Sequence, residues 1–180
     1  MIKKYFIFVK IVINLVETPI NYPGMDIIQA SEKDIIEALY LIKTSFEFNN
    51  TNQHIWRPPT PDYHSLKKEA EKGLLYLIKR NSITIGTFTL TNVLPDHFQE
   101  IDWINENSQN LIIKRIVIAP NWLTDETGDT LIAFIESYAK THNYPSVKLN
   151  VISENAIMNQ FYVNMGFSLR GDQVIQEKEN

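Results

Sequence analysis

The residues from Leu111 to His142 combine the features of an anion-binding site. An apolar run rich in Ile and Val ends at Pro120, and beyond it the apolar residues recur at the spacing of a helix. The first turn of a helix presents unpaired N–H donors and the positive end of the helix dipole, so this order predicts a site for a phosphate group. The turn also carries three acidic residues, Asp125, Glu126 and Asp129. Their charges would compete with a phosphate for the same donors.

Composition excludes several classes of protein. The 180 residues are 44% hydrophobic, enough for a full core, and the length fits one domain. A net charge of −4 and a pI near 5.6 argue against a nucleic-acid partner. The chain has no cysteine, so a disulfide framework, a thiolate nucleophile and a Cys-ligated zinc are excluded, and the four histidines lack the spacing of metal ligands. We expect no metal and a cytoplasmic protein.

The first 24 residues form an N-terminal extension with three interpretations. They begin basic and apolar like a secretory signal, but Lys10 interrupts the apolar run and no small-residue cleavage site follows. The run is also too short to span a bilayer, so we expect no stable membrane insertion. The segment is a weak signal or anchor, an extra strand or helix packed on the domain, or an upstream extension before a natural start at Met25. We favour the natural start at Met25.

From Met25 onward the pattern predicts one domain, residues 25–180. A strand over residues 25–30 precedes a helix that begins after the capping box at Ser31. A second helix is expected to have Thr60 as its cap and Pro61 as its first residue, and to end at Gly73. The next two strands, at 74–79 and 83–90, form an antiparallel hairpin in which Gly86 marks a bulge or a close backbone approach.

The remaining elements alternate between strand and helix. The strand at 111–119 is apolar on both faces, which predicts a central strand covered by helices on both sides. A helix from Gly128 to His142, a strand at 146–152, a helix at 155–164 and a closing strand from Phe167 complete the order. The sequence therefore predicts a mixed α/β fold.

Three segments resemble the GNAT superfamily of N-acetyltransferases. The segment NAIMNQFYVNMGF, from Asn155 to Phe167, resembles a family pattern of Asn, an aromatic-Tyr pair and then Gly-Phe. RIVIAP, at residues 115–120, is followed by Gly128 at the family's spacing, and Trp56 precedes a proline-rich loop as in bacterial members. The resemblance implies a mixed, mostly antiparallel central sheet with helices on both faces. It also implies a splay between the family's strands four and five, here residues 111–119 and 147–152.

The resemblance implies acetyl-CoA as the co-substrate and a primary amine of a small molecule or peptide as the acceptor. The pantetheine would lie between the splayed strands, and the amides near Val117 and Ile118 would polarise the acetyl carbonyl. The pyrophosphate would be received by the turn, at Thr124, Asp125, Glu126, Thr127, Gly128 and Asp129. Family members usually have Arg or Gln and then Gly-x-Gly-x-Gly or Ala in this turn. At those four positions this chain has Leu123, Thr124, Glu126 and Gly128. The residues alone also fit a plain helix N-terminus capped by Thr124.

The resemblance assigns the general acid to Tyr162. A phenol of pKa near 10 can protonate a departing thiolate, whose parent thiol has a pKa of about 8.5. Asn155 would contact the pantetheine, cap the last helix, or do both, and Trp56 would line the acceptor pocket. The general base is open among three residues of one loop, His97, Glu100 and Asp102.

Three functional hypotheses follow. The first is an N-acetyltransferase in which the amine attacks the thioester directly in a ternary complex. The second is a non-catalytic GNAT-fold protein, kept as a binding or regulatory module with weakened or lost acetyl-CoA binding. The third is an unrelated α/β domain that only mimics the pattern. The sequence is compatible with a homodimer in each case.

Overall fold

The structure is a computed structural model that describes residues 2–12, 23–50, 61–94 and 109–176. Within these ranges it contains seven strands and four α-helices. The strands are β1 (Ile2–Ile11), β2 (Met25–Gln29), β3 (Leu75–Arg80), β4 (Ile83–Thr91), β5 (Leu111–Ile118), β6 (Ser146–Ile152) and β7 (Ser168–Gln176). The helices are α1 (Ile35–Asn50), α2 (Tyr63–Glu71), α3 (Asp125–Thr141) and α4 (Ala156–Asn164).

The strands form one sheet in the order β2-β3-β4-β5-β6-β1-β7. The pairs β2–β3, β3–β4, β6–β1 and β1–β7 are antiparallel. Strands β5 and β6 pair in parallel, with the register Leu111↔Val147 and Ile112↔Lys148. The prediction of a mixed, mostly antiparallel sheet with helices is therefore confirmed.

The chain divides into two compact units, one from residues 19–90 and 113–134 and the other from 1–18, 91–112 and 135–180. In the first unit, α1 and α2 pack on one face of the sheet. Their shared core contains Ile35, Ala38, Leu41, Ile42, Leu66, Leu75, Leu77 and Val117, with Ala30 at its edge. Because alternate residues of a strand point to opposite faces, Leu75 and Leu77 face these helices and Tyr76 faces away from them.

The opposite face of the first unit is covered by the beginning of α3. Tyr76 of β3 stacks on Phe88 of β4 with ring centroids 5.4 Å apart, and Phe134 of α3 lies 5.4 Å from Tyr76 and 6.0 Å from Phe88. Helices therefore cover this part of the sheet on both sides, as the resemblance implies.

In the second unit, strand β1 lies between β6 and β7. It pairs with β6 from Tyr5↔Ile152 to Ile11↔Ser146, and with β7 from Ile2↔Gln176 to Val9↔Ser168. Of the three interpretations of residues 1–24, the described part corresponds to the extra strand packed on the domain.

The side chains of β1 divide between the two faces of the sheet. Ile7 and Val9 form an apolar cluster with Ile112, against which Leu94 packs. Phe8, on the other face, is 1% exposed, and its ring lies 6.2 Å from that of Tyr162 in α4. Strand β1 therefore contributes to the core on both of its faces.

The second helix begins two residues later than predicted. The cap is Asp62, whose carboxylate accepts a hydrogen bond from the amide of Ser65 at 2.7 Å, and the helix starts at Tyr63. The prediction of Thr60 as the cap and Pro61 as the first residue is therefore wrong. An aspartate caps a helix better than a threonine does, and its charge also favours the positive end of the helix dipole.

The helix predicted from Gly128 begins at Asp125, three residues earlier. The apolar periodicity starts only after the first turn of α3, which is polar, so periodicity alone placed the boundary too late. The last turn of α3 was predicted correctly, because the helix ends at Thr141 and His142 follows in a turn.

The predicted hairpin between β3 and β4 is present, with β3 displaced by one residue, β4 one residue longer than predicted, and a two-residue turn. Asn81 and Ser82 both have positive φ angles, 47° and 69°, as a type I′ turn requires. The prediction for Gly86 is confirmed in both respects. The register shifts by one residue next to it, and a Cβ at this position would lie 2.8 Å from Ile78 Cδ1 and 3.2 Å from the carbonyl oxygen of Val117.

Among the described residues, no helix is both long enough and apolar enough to cross a membrane.

Candidate functional site

The end of β5 contains a break in strand geometry. Arg115 has φ of +51°, a left-handed conformation that non-glycine residues adopt at an energetic cost of about 1–3 kcal/mol. Its guanidinium pairs with the carboxylate of Glu69 in α2 and donates to Thr89 Oγ1 in β4 at 3.2 Å. A residue of this kind interrupts the alternation of a strand, so it affects the direction of the peptide groups that follow, at Val117 and Ile118.

The two residues that the resemblance assigns to the acetyl carbonyl lie just after this break. Val117 is 6% exposed and packs against the α1–α2 core, while Ile118 is half-buried. The next amide, that of Ala119, donates to the carbonyl of Ile85 at 2.8 Å. Ile85 is the extra residue of the register shift in β4. The strand end is therefore anchored to β4 immediately after the two amides of interest.

The turn uses part of its hydrogen-bonding capacity internally. The amide of Thr124 donates to the carbonyl of Trp122 at 2.9 Å, and that of Gly128 donates to the carbonyl of Thr124 at 3.0 Å. The amide of Thr127 lies 3.4 Å from Thr124 Oγ1, so Thr124 caps the helix. Within the described parts of the chain, the amides of Asp125 and Glu126 have no protein acceptor, as expected for the first two positions of a helix. Of the six predicted phosphate donors, these two are available.

Arg80, at the end of β3, brings a cation to this turn. Its guanidinium pairs with the carboxylate of Glu126 at 2.5 Å and lies 6.0 Å from the centre of the Trp122 ring. Glu126 is therefore neutralised, whereas Asp125 is exposed. Sequence reasoning missed Arg80 because it lies 46 residues from Glu126, in an element with no apparent connection to the turn.

Tyr162 is buried in the second unit, with 3% of its surface exposed. Its ring contacts those of Phe8, Phe161 and Phe167 at centroid distances of 6.2, 5.3 and 5.6 Å. Burial disfavours the charged phenolate and raises the pKa of Tyr162 well above its usual value near 10. Among the described residues, no group accepts a hydrogen bond from its hydroxyl. The phenol is thus neutral and holds a proton that it can donate.

The Gly-Phe pair of the family pattern has a structural explanation. After α4, Gly166 has φ of +81°. Its amide donates to the carbonyl of Val163, and the amide of Phe167 donates to that of Tyr162, both at 3.0 Å. This is a Schellman motif, and the contact between the Phe167 and Tyr162 rings is the apolar contact that accompanies it. Gly166 and Phe167 therefore fix the position of Tyr162.

Asn155 is the N-cap of the same helix. Its Oδ1 accepts from the amide of Met158 at 3.1 Å. Within the described residues its side-chain NH₂ group has no acceptor, so the cap leaves this donor available, as the sequence allowed. Asn159, which sequence reasoning missed, donates to the carbonyl of Ser153 at 2.9 Å and holds the turn before α4.

The predicted site residues fall into two sets. Val117, Ile118 and the turn belong to the first unit, and Asn155 and Tyr162 belong to the second. Four other predicted residues lie outside the described parts of the chain: Trp56, His97, Glu100 and Asp102. Among the described residues, no cluster of three or more His, Asp or Glu side chains could hold a metal ion.

Comparison with known proteins gives matches among solved structures only. No family model and no curated protein matches the chain. A GNAT-family acetyltransferase from Listeria monocytogenes is similar, with a TM-score of 0.68 and 17% identity over 87% of this chain and 99% of that one. The PaiA N-acetyltransferase of Thermoplasma acidophilum, in complex with coenzyme A, gives a TM-score of 0.64 and 16% identity over 80% and 89%.

A third similar structure is an aminoglycoside acetyltransferase from an uncultured soil sample, in complex with sisomicin. Its TM-score is 0.59, with 15% identity over 87% of this chain and 96% of that one. At these identities the likeness concerns the fold. The resemblance found in the sequence is confirmed at that level: this chain has the fold of the GNAT acetyltransferases.

Proposed function

We propose that this protein is an N-acetyltransferase that transfers the acetyl group of acetyl-CoA to a primary amine of a small molecule or peptide. The observation that carries the proposal is the end of β5. There a break at Arg115 precedes the amides of Val117 and Ile118, and a helix N-terminus with two available N–H groups follows. Coenzyme A and sisomicin in the complexes of two similar structures support the choice of co-substrate and acceptor.

The residues present fit acetyl-CoA in part. The free amides of Asp125 and Glu126 suit a phosphate, and Arg80 supplies a cation that is already paired with Glu126. The exposed carboxylate of Asp125 opposes the same phosphate. We therefore expect binding that is weaker than a glycine-rich turn would give.

Acetyl-CoA supplies a thioester whose carbonyl carbon forms a bond to the amine nitrogen as its bond to sulfur breaks. The amides of Val117 and Ile118 donate to the carbonyl oxygen, where negative charge grows during the attack. Tyr162 donates its phenolic proton to the departing thiolate. The proton that the amine loses returns to the phenolate through the base or solvent, which restores the enzyme.

The raised pKa of Tyr162 makes it a weaker acid than free phenol. A thiolate in a similarly dry environment also gains affinity for a proton, because burial disfavours both anions. The two effects oppose each other, so the transfer need not become more unfavourable. We assign no general base, and Trp56 keeps its proposed place in the acceptor pocket.

The alternative is a GNAT-fold protein that binds its ligand without catalysis, which the acidic turn favours. Thermal melting with acetyl-CoA tests the cofactor, and thiol release against a panel of amines tests the chemistry. At a hundredfold excess over Kd, a ligand of the native state adds about 2.7 kcal/mol, which raises Tm by roughly 5–10 °C. No shift at millimolar acetyl-CoA would contradict the proposal, and a shift without thiol release would support the non-catalytic alternative.

A further inference from the structure

Arg115 is held by a closed set of three contacts between elements of one unit. Its guanidinium pairs with Glu69 and donates to Thr89 Oγ1 at 3.2 Å, while Thr89 Oγ1 donates to Glu69 Oε2 at 3.0 Å. Every member contacts the other two, and the hydroxyl uses its single hydrogen and one lone pair. We call these three residues the Glu69–Thr89–Arg115 triangle.

Two members of the triangle are fixed by their own elements. Thr89 is 2% exposed and lies in β4 opposite Leu75. Glu69 is near the end of α2, where its carbonyl accepts from the amide of Leu74 at 2.9 Å in a Schellman motif with Gly73, whose φ is +69°. The backbone of Glu69 and the side chain of Thr89 are therefore held in place by their own elements, and Arg115 is the member whose backbone adapts.

The pair between Arg115 and Glu69 is partly shielded from water. The side chains are 24% and 25% exposed, whereas the pair of Lys67 with Glu71 on the same helix is 34% and 59% exposed. Shielding and the third hydrogen bond make the triangle stronger than an ordinary surface ion pair.

A left-handed arginine persists only where its surroundings determine the conformation. The backbone of Arg115 has no glycine-like freedom, and the triangle is the contact that holds its side chain. We infer that Glu69 and Thr89 are positioning residues: by holding Arg115 at positive φ, they aim the amides of Val117 and Ile118 at the acetyl carbonyl. This inference rests on the proposed function and extends it to α2 and β4.

The test uses acetyl-CoA labelled with ¹³C at the carbonyl, which requires no knowledge of the acceptor. Infrared spectroscopy of the bound thioester reports how strongly the protein polarises the carbonyl, and calorimetry gives the dissociation constant. In the wild-type protein the carbonyl band should move to lower frequency on binding. In Glu69→Gln and in Thr89→Val the band should return toward its free position, while coenzyme A without the acetyl group binds with unchanged affinity.

With an acceptor in hand, Glu69→Gln should lower kcat by about tenfold. That is less than the roughly 100-fold loss from outright removal of an oxyanion donor, because the amides remain and only their orientation toward the acetyl carbonyl changes. The matched control is Glu71→Gln, which makes the same substitution two residues further along α2. It should leave the band, the affinity and kcat unchanged.

The outcomes separate the inference from the proposed function. A wild-type band shift that both triangle variants retain, with unchanged kcat, would overturn the inference alone. A wild-type protein that binds no acetyl-CoA would overturn the proposed function and the inference with it. Thr89→Val keeps the shape of the side chain, so the carbonyl band of acetyl-CoA bound to this variant decides the test if Glu69→Gln is poorly folded.

Discussion

Tyr162 combines burial with an available proton, and its substitution tests whether that proton is used. Tyr162→Phe keeps the ring contacts with Phe8 and Phe167 and removes only the hydroxyl. Because a positioned general acid contributes about 10²–10⁴-fold, kcat for thiol release should fall by that order, with the Kd for acetyl-CoA unchanged. Steady-state kinetics and calorimetry measure the two quantities. Tyr40→Phe, at a residue 70% exposed, is the control and should behave as wild type.

The raised pKa of Tyr162 predicts how the rate depends on pH in the alkaline range. Since burial raises the pKa of Tyr162, the hydroxyl keeps its proton as pH rises through 10. The rate should therefore show no loss from deprotonation of this group up to pH 10. A rate that declines with an apparent pKa of about 9 in the wild type, and not in Tyr162→Phe, would show that the phenol ionises more easily than its burial implies.

Asp125 is the residue that most directly opposes phosphate binding. Its carboxylate is exposed at the first position of α3, next to two free amides. Asp125→Asn removes one charge of repulsion, worth about 0.8 kcal/mol at 5 Å in water, so coenzyme A should bind about two- to fivefold more tightly. The gain should shrink at 1 M salt, where charges are screened within about 3 Å.

Calorimetry at two salt concentrations measures this gain. In the absence of ligand, Asp125→Asn should melt at a lower temperature than the wild type, since a negative charge at a helix N-terminus stabilises the helix. Asp26→Asn, on the exposed side of β2, is the control and should leave coenzyme A affinity unchanged. Unchanged or weaker binding by Asp125→Asn would mean that the phosphates do not lie at this turn.

At the scale of elements, three helices end in the same way. The residue after each C-cap has positive φ, at Gly73 after α2, Asn143 after α3 and Gly166 after α4. The amide two positions beyond the cap donates back into the last turn in each case. Two of these motifs hold residues of the proposed site, Glu69 and Tyr162.

Gly166→Ala tests the motif that holds Tyr162. A Cβ at Gly166 has room, since its nearest neighbour is Lys10 Nζ at 3.4 Å, but alanine pays about 1–2 kcal/mol for positive φ. Tm should fall by about 3–6 °C, and kcat should fall with it as Tyr162 shifts. The control is Gly171→Ala in β7, where the new Cβ meets nothing within 4 Å. Equal melting temperatures for the two variants would contradict the motif's role.

The sequence predicted the elements after Met25 well because their signals are local. Apolar periodicity and capping residues identify β2 through β7 and all four helices, with errors of two or three residues at the starts of α2 and α3. Two ion pairs of the first unit could not be predicted from the sequence. Arg80 with Glu126 and Arg115 with Glu69 each join residues 46 positions apart, and neither contact has a sequence pattern.

The candidate site, too, was predictable only where its sequence signals are local. The segment from Asn155 to Phe167 was recognisable because its cap, tyrosine and Schellman motif lie within one helix. The left-handed conformation of Arg115 could not be recognised, since nothing in the sequence RIVIAP distinguishes a regular strand from a strand with a break. The two amides of the turn that have no acceptor could be identified only from the structure, because they depend on which residue begins α3.

At the scale of the whole molecule, strand β1 makes residues 2–11 important to the fold. Ile7 and Phe8 are 0% and 1% exposed, and Lys10 donates to the carbonyl of Met165 at 2.7 Å and pairs with Glu136. A chain that starts at Met25 would leave β6 and β7 without the strand between them. Circular dichroism and size-exclusion chromatography should show it unfolded or aggregated.

A point substitution tests the same contribution more gently. Phe8→Ala should destabilise the protein by about 3–5 kcal/mol in urea denaturation, because it opens a cavity next to Tyr162. Ile11→Ala, at the end of the same strand and 47% exposed, is the control and should cost little. A shortened chain from Met25 that melts cooperatively near the wild-type temperature would contradict this contribution of β1.

The position of β1 also has a consequence for synthesis on the ribosome. Ile2 pairs with Gln176, so β1 is translated well before the strand β7 with which it pairs. Helices α1 and α2 and the β3–β4 hairpin follow one another along the chain and can form while translation continues. Until β6 and β7 leave the exit tunnel, β1 has neither of its neighbours. Its unpaired edges and apolar side chains are then open to chaperones and to other nascent chains.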